Sequence, residues 1–167
     1  MRAGIALGSN LGDRLANLRA ARALVLALPG VSSPIIDSRV YETEPIHSGP
    51  EAGAYLNAVI EVEYAGQPIA LLDGLQGIEA ALGRPSKRPR NAPRTIDLDI
   101  LYVGNFVLSN EEFVIPHQRL HLRRFVLAPL ADIRPELILP GQQQTVAELL
   151  AGLNDPAAVE LFAEKWG

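Results

Sequence analysis

The chain has 167 residues, 48% of them hydrophobic, with 15 Lys and Arg against 19 Asp and Glu and a formal net charge of −4. That apolar content suits one globular core and argues against a disordered chain, and the mild acidity gives no overall pull toward nucleic acid. The absence of cysteine excludes disulfide staples and thiolate metal sites. No apolar run approaches a membrane span, and MRAG leads into a strand-like stretch without a signal-peptide profile. The expectation is therefore one domain over residues 1–167, cytoplasmic, a monomer by default, with neither membrane nor nucleic acid as a partner.

The predicted elements begin with GIALGSNLGDRLANLRAARALVLALPG, read as a short strand, a glycine turn and a helix. Leu11, Leu15, Leu18, Val25 and Leu28 keep a helical apolar stripe until Pro29-Gly30 ends it. The turn GSNLG fits neither G-x-x-x-x-G-K-[ST] nor G-x-G-x-x-G, so it reads as structural and not as a phosphate cradle. Two β-patterned runs follow, IIDSRVYET and YLNAVIEVEYA, expected to pair antiparallel. The second sets Leu56, Ala58, Ile60 and Val62 against Tyr55, Asn57, Glu61 and Glu63. Their connection, residues 45–54, is too long and too rich in Gly and Pro for a tight hairpin, which predicts a movable flap. A second helix is expected from Pro68 to Gly83, burying Ile69, Leu72, Leu75, Ile78 and Leu82. Glu79 interrupts that face, either as a solvated margin or as the buried partner of an arginine.

The stretch RPSKRPRNAPR concentrates Arg84, Lys87, Arg88, Arg90 and Arg94 in a proline-broken loop of an acidic protein. It leads straight into TIDLDILYV, the most strand-like run of the sequence, which carries two carboxylates. Residues two apart on a strand share a face, roughly 6.6 Å between Cα atoms, so Asp97 and Asp99 are neighbours. Ile96, Leu98, Ile100 and Tyr102 are expected on the opposite face, with Leu101 and Val103 continuing the aspartate face as apolar residues. Two adjacent anions need a counter-charge, and paired hard oxygens are what magnesium takes when substrate phosphates complete its shell. With cations beside them, the pair describes a receptacle for a polyphosphate.

Beyond Gly104-Asn105 come FVL, FVIPH and a second basic cluster, HQRLHLRRF. TVAE is a capping box at Thr145 and Glu148, and Asp155-Pro156 is expected to start a last short helix carrying Val159, Phe162 and Trp166. The order gives an α/β (α+β) class: a ferredoxin-like β-α-β-β-α-β sheet with packed helices and an added C-terminal hairpin and helix region. That layout hosts many unrelated functions, so residues must name this one.

With PRTIDLDIL, the basic loop before it, YLNAVIEVE and IPHQRLHLRRFVLAPL in register, the chain resembles the 6-hydroxymethyl-7,8-dihydropterin pyrophosphokinase family of folate biosynthesis. The resemblance runs from ALGSNLGD to the region around PEL. It implies transfer of the β,γ-pyrophosphate of ATP to the hydroxymethyl group of the reduced pterin, releasing AMP. Asp97 and Asp99 match the family's ligands for two magnesium ions, and Arg84, Arg90 and Arg94 match arginines of its basic loop that reach the phosphates. For ATP it further implies Gln76, Glu79, Ile100, His117 and Arg123; for the pterin, Thr43, Glu44, Ile46, Tyr55, Asn57 and Phe125. Where some members carry aromatics, in the basic loop and after I-P-H, this chain has Asn91 and Gln118.

Taken without the family, the same residues have other readings. D-x-D also describes a solvated strand end, the basic loop a linker or nucleic-acid patch, Tyr55 and Phe125 core aromatics, and His117 the cap of a turn. Asn57 is harder to set aside, because asparagine is disfavoured inside a strand and needs partners when buried. Among rival functions, a nucleotidyltransferase would place its Gly-Ser turn close before the aspartates, whereas Gly8-Ser9 lies far upstream of Asp97. A non-catalytic ferredoxin-like binding module would need no paired carboxylates beside its arginines.

Overall fold

Residues 1–43, 53–83, 95–111, 113–154 and 158–166 are described in this computed structural model of the chain. Strand β1 (Arg2–Ser9) leads through a turn to helix α1 (Arg14–Leu26), whose N-cap Asp13 accepts from Ala16 N–H at 3.1 Å. The run read as IIDSRVYET is two strands, β2 (Val31–Asp37) and β3 (Val40–Thr43), lying end to end along β4 (Tyr55–Tyr64). They part at Ser38, whose hydroxyl takes the Val59 N–H at 2.8 Å and so satisfies a ladder group where the strand breaks. Helix α2 (Pro68–Ala81) and strand β5 (Asp97–Val103) complete the β-α-β-β-α-β unit.

The sheet order is β5-β1-β4-β3, antiparallel throughout, and β8 (Val159–Ala163) extends it beyond β3. This corrects the expected final helix. Val159, Phe162 and Trp166 have helical spacing, but the open edge of β3 offers a ladder that a helix of so few residues cannot match. Trp166, just past the strand, is buried and donates its indole N–H to Ser38 O at 2.8 Å.

Both faces of the sheet are covered. Helices α1 and α2 pack on one, against Ile5, Leu7, Leu56, Ile60, Leu98 and Ile100. Buried helix positions are Leu18, Ala21 and Val25 on α1 and Pro68, Leu71, Leu75 and Ile78 on α2. Two expected core residues, Leu11 and Ile69, are instead exposed: Leu11 precedes the helix, and α2 is rotated so that Leu71 takes the place foreseen for Ile69. The opposite face is roofed by α3 (Arg124–Ile133) and α4 (Val146–Ala151), the latter with the predicted Thr145–Glu148 capping box. Before α3 come the short hairpin β6 (Leu108–Ser109) and β7 (Val114–Ile115) and a single 3-10 turn at Leu120–Leu122. Among the described residues no helix is long and apolar enough to cross a membrane.

A β-bulge in β5 alters the predicted faces. Ile5 pairs with Ile100 but Gly4 with Tyr102, so Leu101 is an extra residue. Leu101 and Tyr102 both join the cluster under α3, while Val103 turns to the α1 and α2 side, the reverse of the strict alternation read for 102 and 103. Tyr102 then crosses β1 at Gly4, where a β-carbon would stand 2.4 Å from its ring, and donates to Glu61 Oε2 at 2.6 Å. Arg134 Nε reaches the same oxygen at 3.0 Å. Burial, then the Glu61 carboxylate, keeps the Tyr102 hydroxyl protonated by pushing its pKa far up.

Candidate active site

At the other end of that face, the register brings the predicted residues into rows. Asp97 pairs with Gly8, Gly8 with Asn57, and Asn57 with Tyr41; directly opposed residues point the same way, so one row runs β5-β1-β4-β3. The next row sets Asp99 beside Ala6 and Val59. On this face β1 contributes Arg2, which reaches Glu61 at 3.6 Å at the far end, then Gly4, Ala6 and Gly8, and the last two leave an open floor between the aspartates and Asn57. A β-carbon at Gly8 would lie 3.2 Å from Asn57 Oδ1 and 3.5 Å from the Tyr55 ring, so the glycine keeps that floor clear. Its signal in the sequence is the small-residue alternation in GIALG, visible only once the strand's neighbours are known.

Asp97 and Asp99 are half-buried, flanked by Ile96, Leu98 and Ile100 in the core. Glu79 reaches from α2 to accept the Leu98 N–H at 2.9 Å. One partner of Glu79 is thus a backbone donor between the two aspartates, a third kind beside the solvent and the arginine that its sequence position suggests. The bond fixes the edge of β5 at the carboxylate pair. Gln76, one turn earlier on α2, is exposed. Ile100 pairs with Ile5 of β1 and packs its side chain with α1 and α2.

His117 and Arg123 approach from the far side. His117 N–H donates to Leu101 O at 2.9 Å, anchoring the imidazole beside β5, and His117 Nδ1 accepts from Arg119 N–H at 3.2 Å. The imidazole is held below its ordinary pKa, first by burial and then by the Arg123 guanidinium, with Asp97 pulling the other way and Arg119 adding to the depression. His117 thus lies close enough to both Arg123 and Asp97 to sense their charge. Arg123 caps α3 and lies over the Phe125 ring, 5.5 Å to its centre.

The polar group opposite the aspartates is also formed. Asn57 is buried, and its Nδ2 donates to Thr43 Oγ1 at 2.8 Å, across the β3–β4 pair in which Thr43 opposes Tyr55. This answers the sequence question of what partners a strand asparagine. One amide hydrogen is used within the protein; the other and Oδ1 can meet the edge of a planar ligand. Glu44, Ile46, Arg84, Arg90 and Arg94 lie outside the described residues, as do most of the 45–54 flap and all of the 84–94 loop.

The donor set suits magnesium better than zinc. Among the described residues no three His, Cys, Asp or Glu side chains gather as a metal cage, whereas two neighbouring carboxylates on a half-open floor match an ion that keeps waters and substrate oxygens in its shell.

The family described as 7,8-dihydro-6-hydroxymethylpterin-pyrophosphokinase (HPPK) matches residues 4–135. The chain is 40% identical over 159 residues to the 2-amino-4-hydroxy-6-hydroxymethyldihydropteridine pyrophosphokinase of Methylorubrum extorquens, which covers 95% of this chain and 97% of that relative. It is 41% identical over 129 residues to a folate synthesis bifunctional protein of Arabidopsis thaliana, 77% of this chain but 26% of that longer protein. A crystal structure of wild-type Plasmodium falciparum HPPK-DHPS with pteroate superposes with a TM-score of 0.69 at 16% identity, over 90% of this chain and 42% of the other. At that identity the likeness is one of fold, and it agrees with the ferredoxin-like layout.

Proposed function

This chain belongs to the 7,8-dihydro-6-hydroxymethylpterin-pyrophosphokinase family, and from that premise we propose that it moves the β,γ-pyrophosphate of ATP onto 6-hydroxymethyl-7,8-dihydropterin, in folate biosynthesis. The observation that carries the reading is the row Asp97–Gly8–Asn57, in which one carboxylate of the Asp97–Asp99 pair and the Asn57 amide share a face across a residue without a side chain.

In this reading Asn57 and Thr43 hold the polar edge of the pterin, and Tyr55 and Phe125 take its two faces. The hydroxymethyl group then points along Gly8 toward the aspartates. Its oxygen attacks the β-phosphorus of ATP, the bond from that phosphorus to the α-phosphate oxygen breaks, the hydroxyl proton is released, and AMP departs. Asp97 and Asp99 would hold magnesium, which when bound neutralises phosphate charge and polarises the oxygens in line with the displacement. His117 and Arg123, with Glu79, Gln76 and the Ile100 main chain, form the nucleotide side. Arg84, Arg90 and Arg94 enter by family resemblance as phosphate contacts, the groups that gain most as charge shifts in the transition state. The protein makes no covalent bond to substrate; it orients and neutralises.

We read residues 1–167 as one pyrophosphokinase domain, monomeric and cytoplasmic, acting on small molecules without nucleic acid or membrane. The test mixes protein, magnesium, ATP and the reduced hydroxymethylpterin and identifies the nucleotide product. AMP is the expected result. ADP would replace the reading with simple phosphorylation, and an unchanged ATP pool would favour a binding module.

A further inference from the structure

The turn between β1 and α1 has so far no part in the chemistry, yet it is built rigidly. Gly12 takes a positive φ of 71°, Asn17 Nδ2 donates to Leu11 O at 2.8 Å and Ser9 Oγ at 3.1 Å, and Asp13 caps the helix. The product of this stiffness is the placement of Arg14. Its Nη1 donates both to Glu42 Oε2 at 2.7 Å and to Ala54 O at 2.8 Å, and its guanidinium lies 5.6 Å from the centre of the Phe162 ring on β8. Glu42 immediately precedes Thr43, and Ala54 immediately precedes Tyr55. The β3–β4 ladder ends at the Thr43–Tyr55 pair, so Ala54 is the first residue past it. One nitrogen therefore clasps the two stems where strand pairing stops.

We propose that Arg14 is a positioning residue for the pterin half of the site, holding the stems that carry Thr43 and Tyr55 at a fixed separation. The inference rests on the pyrophosphokinase reading above. Arg14 and Glu42 side chains are 26% and 36% exposed, and ion pairs this open contribute little to global stability. A dual bond retained there acts on local geometry, and a slot for a flat ring is sensitive to the spacing of its walls. The turn motif thus serves as a brace.

The experiment measures 6-hydroxymethyl-7,8-dihydropterin binding by calorimetry, with magnesium and a non-hydrolysable ATP analogue present, and analogue binding separately. Arg14→Met is expected to weaken the pterin about tenfold while the analogue stays within about twofold. Glu42→Ala should weaken the pterin severalfold, and Glu42→Gln, which keeps an acceptor for Arg14, should restore affinity to within about twofold of wild type. An Arg14→Met protein with unchanged pterin affinity, or one that loses pterin and analogue in parallel, overturns the brace. Wild-type protein that binds no pterin overturns the pyrophosphokinase reading itself, so the two failures are distinct.

Discussion

Replacing Asn57 by alanine isolates the end of the site proposed to read the pterin ring. Asn57 is 7% exposed, gives one amide hydrogen to Thr43 Oγ1 at 2.8 Å, and holds Oδ1 over Gly8. The remaining hydrogen and the oxygen are the groups a pterin edge would meet. A buried ring edge that loses those partners forfeits roughly 1–3 kcal/mol, or about fivefold to a hundredfold in affinity. Thr43 loses its donor as well, so unfolding stability should fall by about 1 kcal/mol. Asp97 lies across Gly8 on another strand, and the nucleotide should bind within about twofold of wild type. Calorimetric titration of each substrate against wild type and Asn57→Ala checks both numbers. Pterin affinity that does not move, or nucleotide affinity that falls in its place, would falsify the assignment of the two ends.

Other outcomes follow from the same geometry. Asp97→Asn and Asp99→Asn should each lower kcat by several powers of ten, roughly several kcal/mol of transition-state stabilisation, with the circular dichroism spectrum and melting temperature nearly unchanged; near-normal turnover across a magnesium titration would refute the carboxylate assignment. Gly4→Ala drives a β-carbon to 2.4 Å from the Tyr102 ring and should cost about 1–3 kcal/mol in urea unfolding, most of it relieved in a Tyr102→Ala background; an equal cost in both backgrounds would mean the bulge row is misread. His117 is held below its ordinary pKa, so the unfolded chain takes up that proton first as pH falls. Its contribution is a loss of stability as pH drops below the ordinary value of 6.5 and down to the folded value, with none above. His117→Gln should flatten this part of the stability profile, and identical slopes in the two proteins would show that other groups set it.

Much of the fold was legible because its signals are local. TIDLDILYV, the two helical stripes and TVAE each specify their own element, and the strand–helix order then restricts the topology. What escaped depended on partners distant in sequence. The C-terminal VELFA became a strand because β3 had an edge to fill, and Ile69 lost its core position to the rotation of α2. The bulge at Leu101 needed Gly4 and Glu61 in place before Tyr102 could change faces. At the proposed site, Asp97, Asp99 and Asn57 stand out in the sequence as polar residues in apolar strands, and the register sets Asp97 and Asn57 on either side of Gly8. Glu79 was noticed but its bond to Leu98 N–H was not foreseen, since a backbone partner leaves no mark in the sequence. Arg14 carries no such signal, because one arginine at a helix start is unremarkable until both of its acceptors are known.

Under the proposed function, strand β1 is what lets one sheet face serve two substrates. A side chain of ordinary size at position 8 would divide the carboxylate end from the amide end, while one at position 4 would displace Tyr102 and with it the bulge. Because β1 is central, its backbone groups are taken by β4 and β5 and the floor is rigid with nothing larger than a methyl group at positions 4, 6 and 8. The cost of glycine in a strand is offset by the row it permits at each end: Tyr102 to Glu61 across Gly4, which fixes the strand, and Asp97 to Asn57 across Gly8, which leaves a passage. Stability and access are therefore assigned to opposite ends of one strand. On this argument a substitution at Gly8 should impair catalysis more than folding, and one at Gly4 should do the reverse.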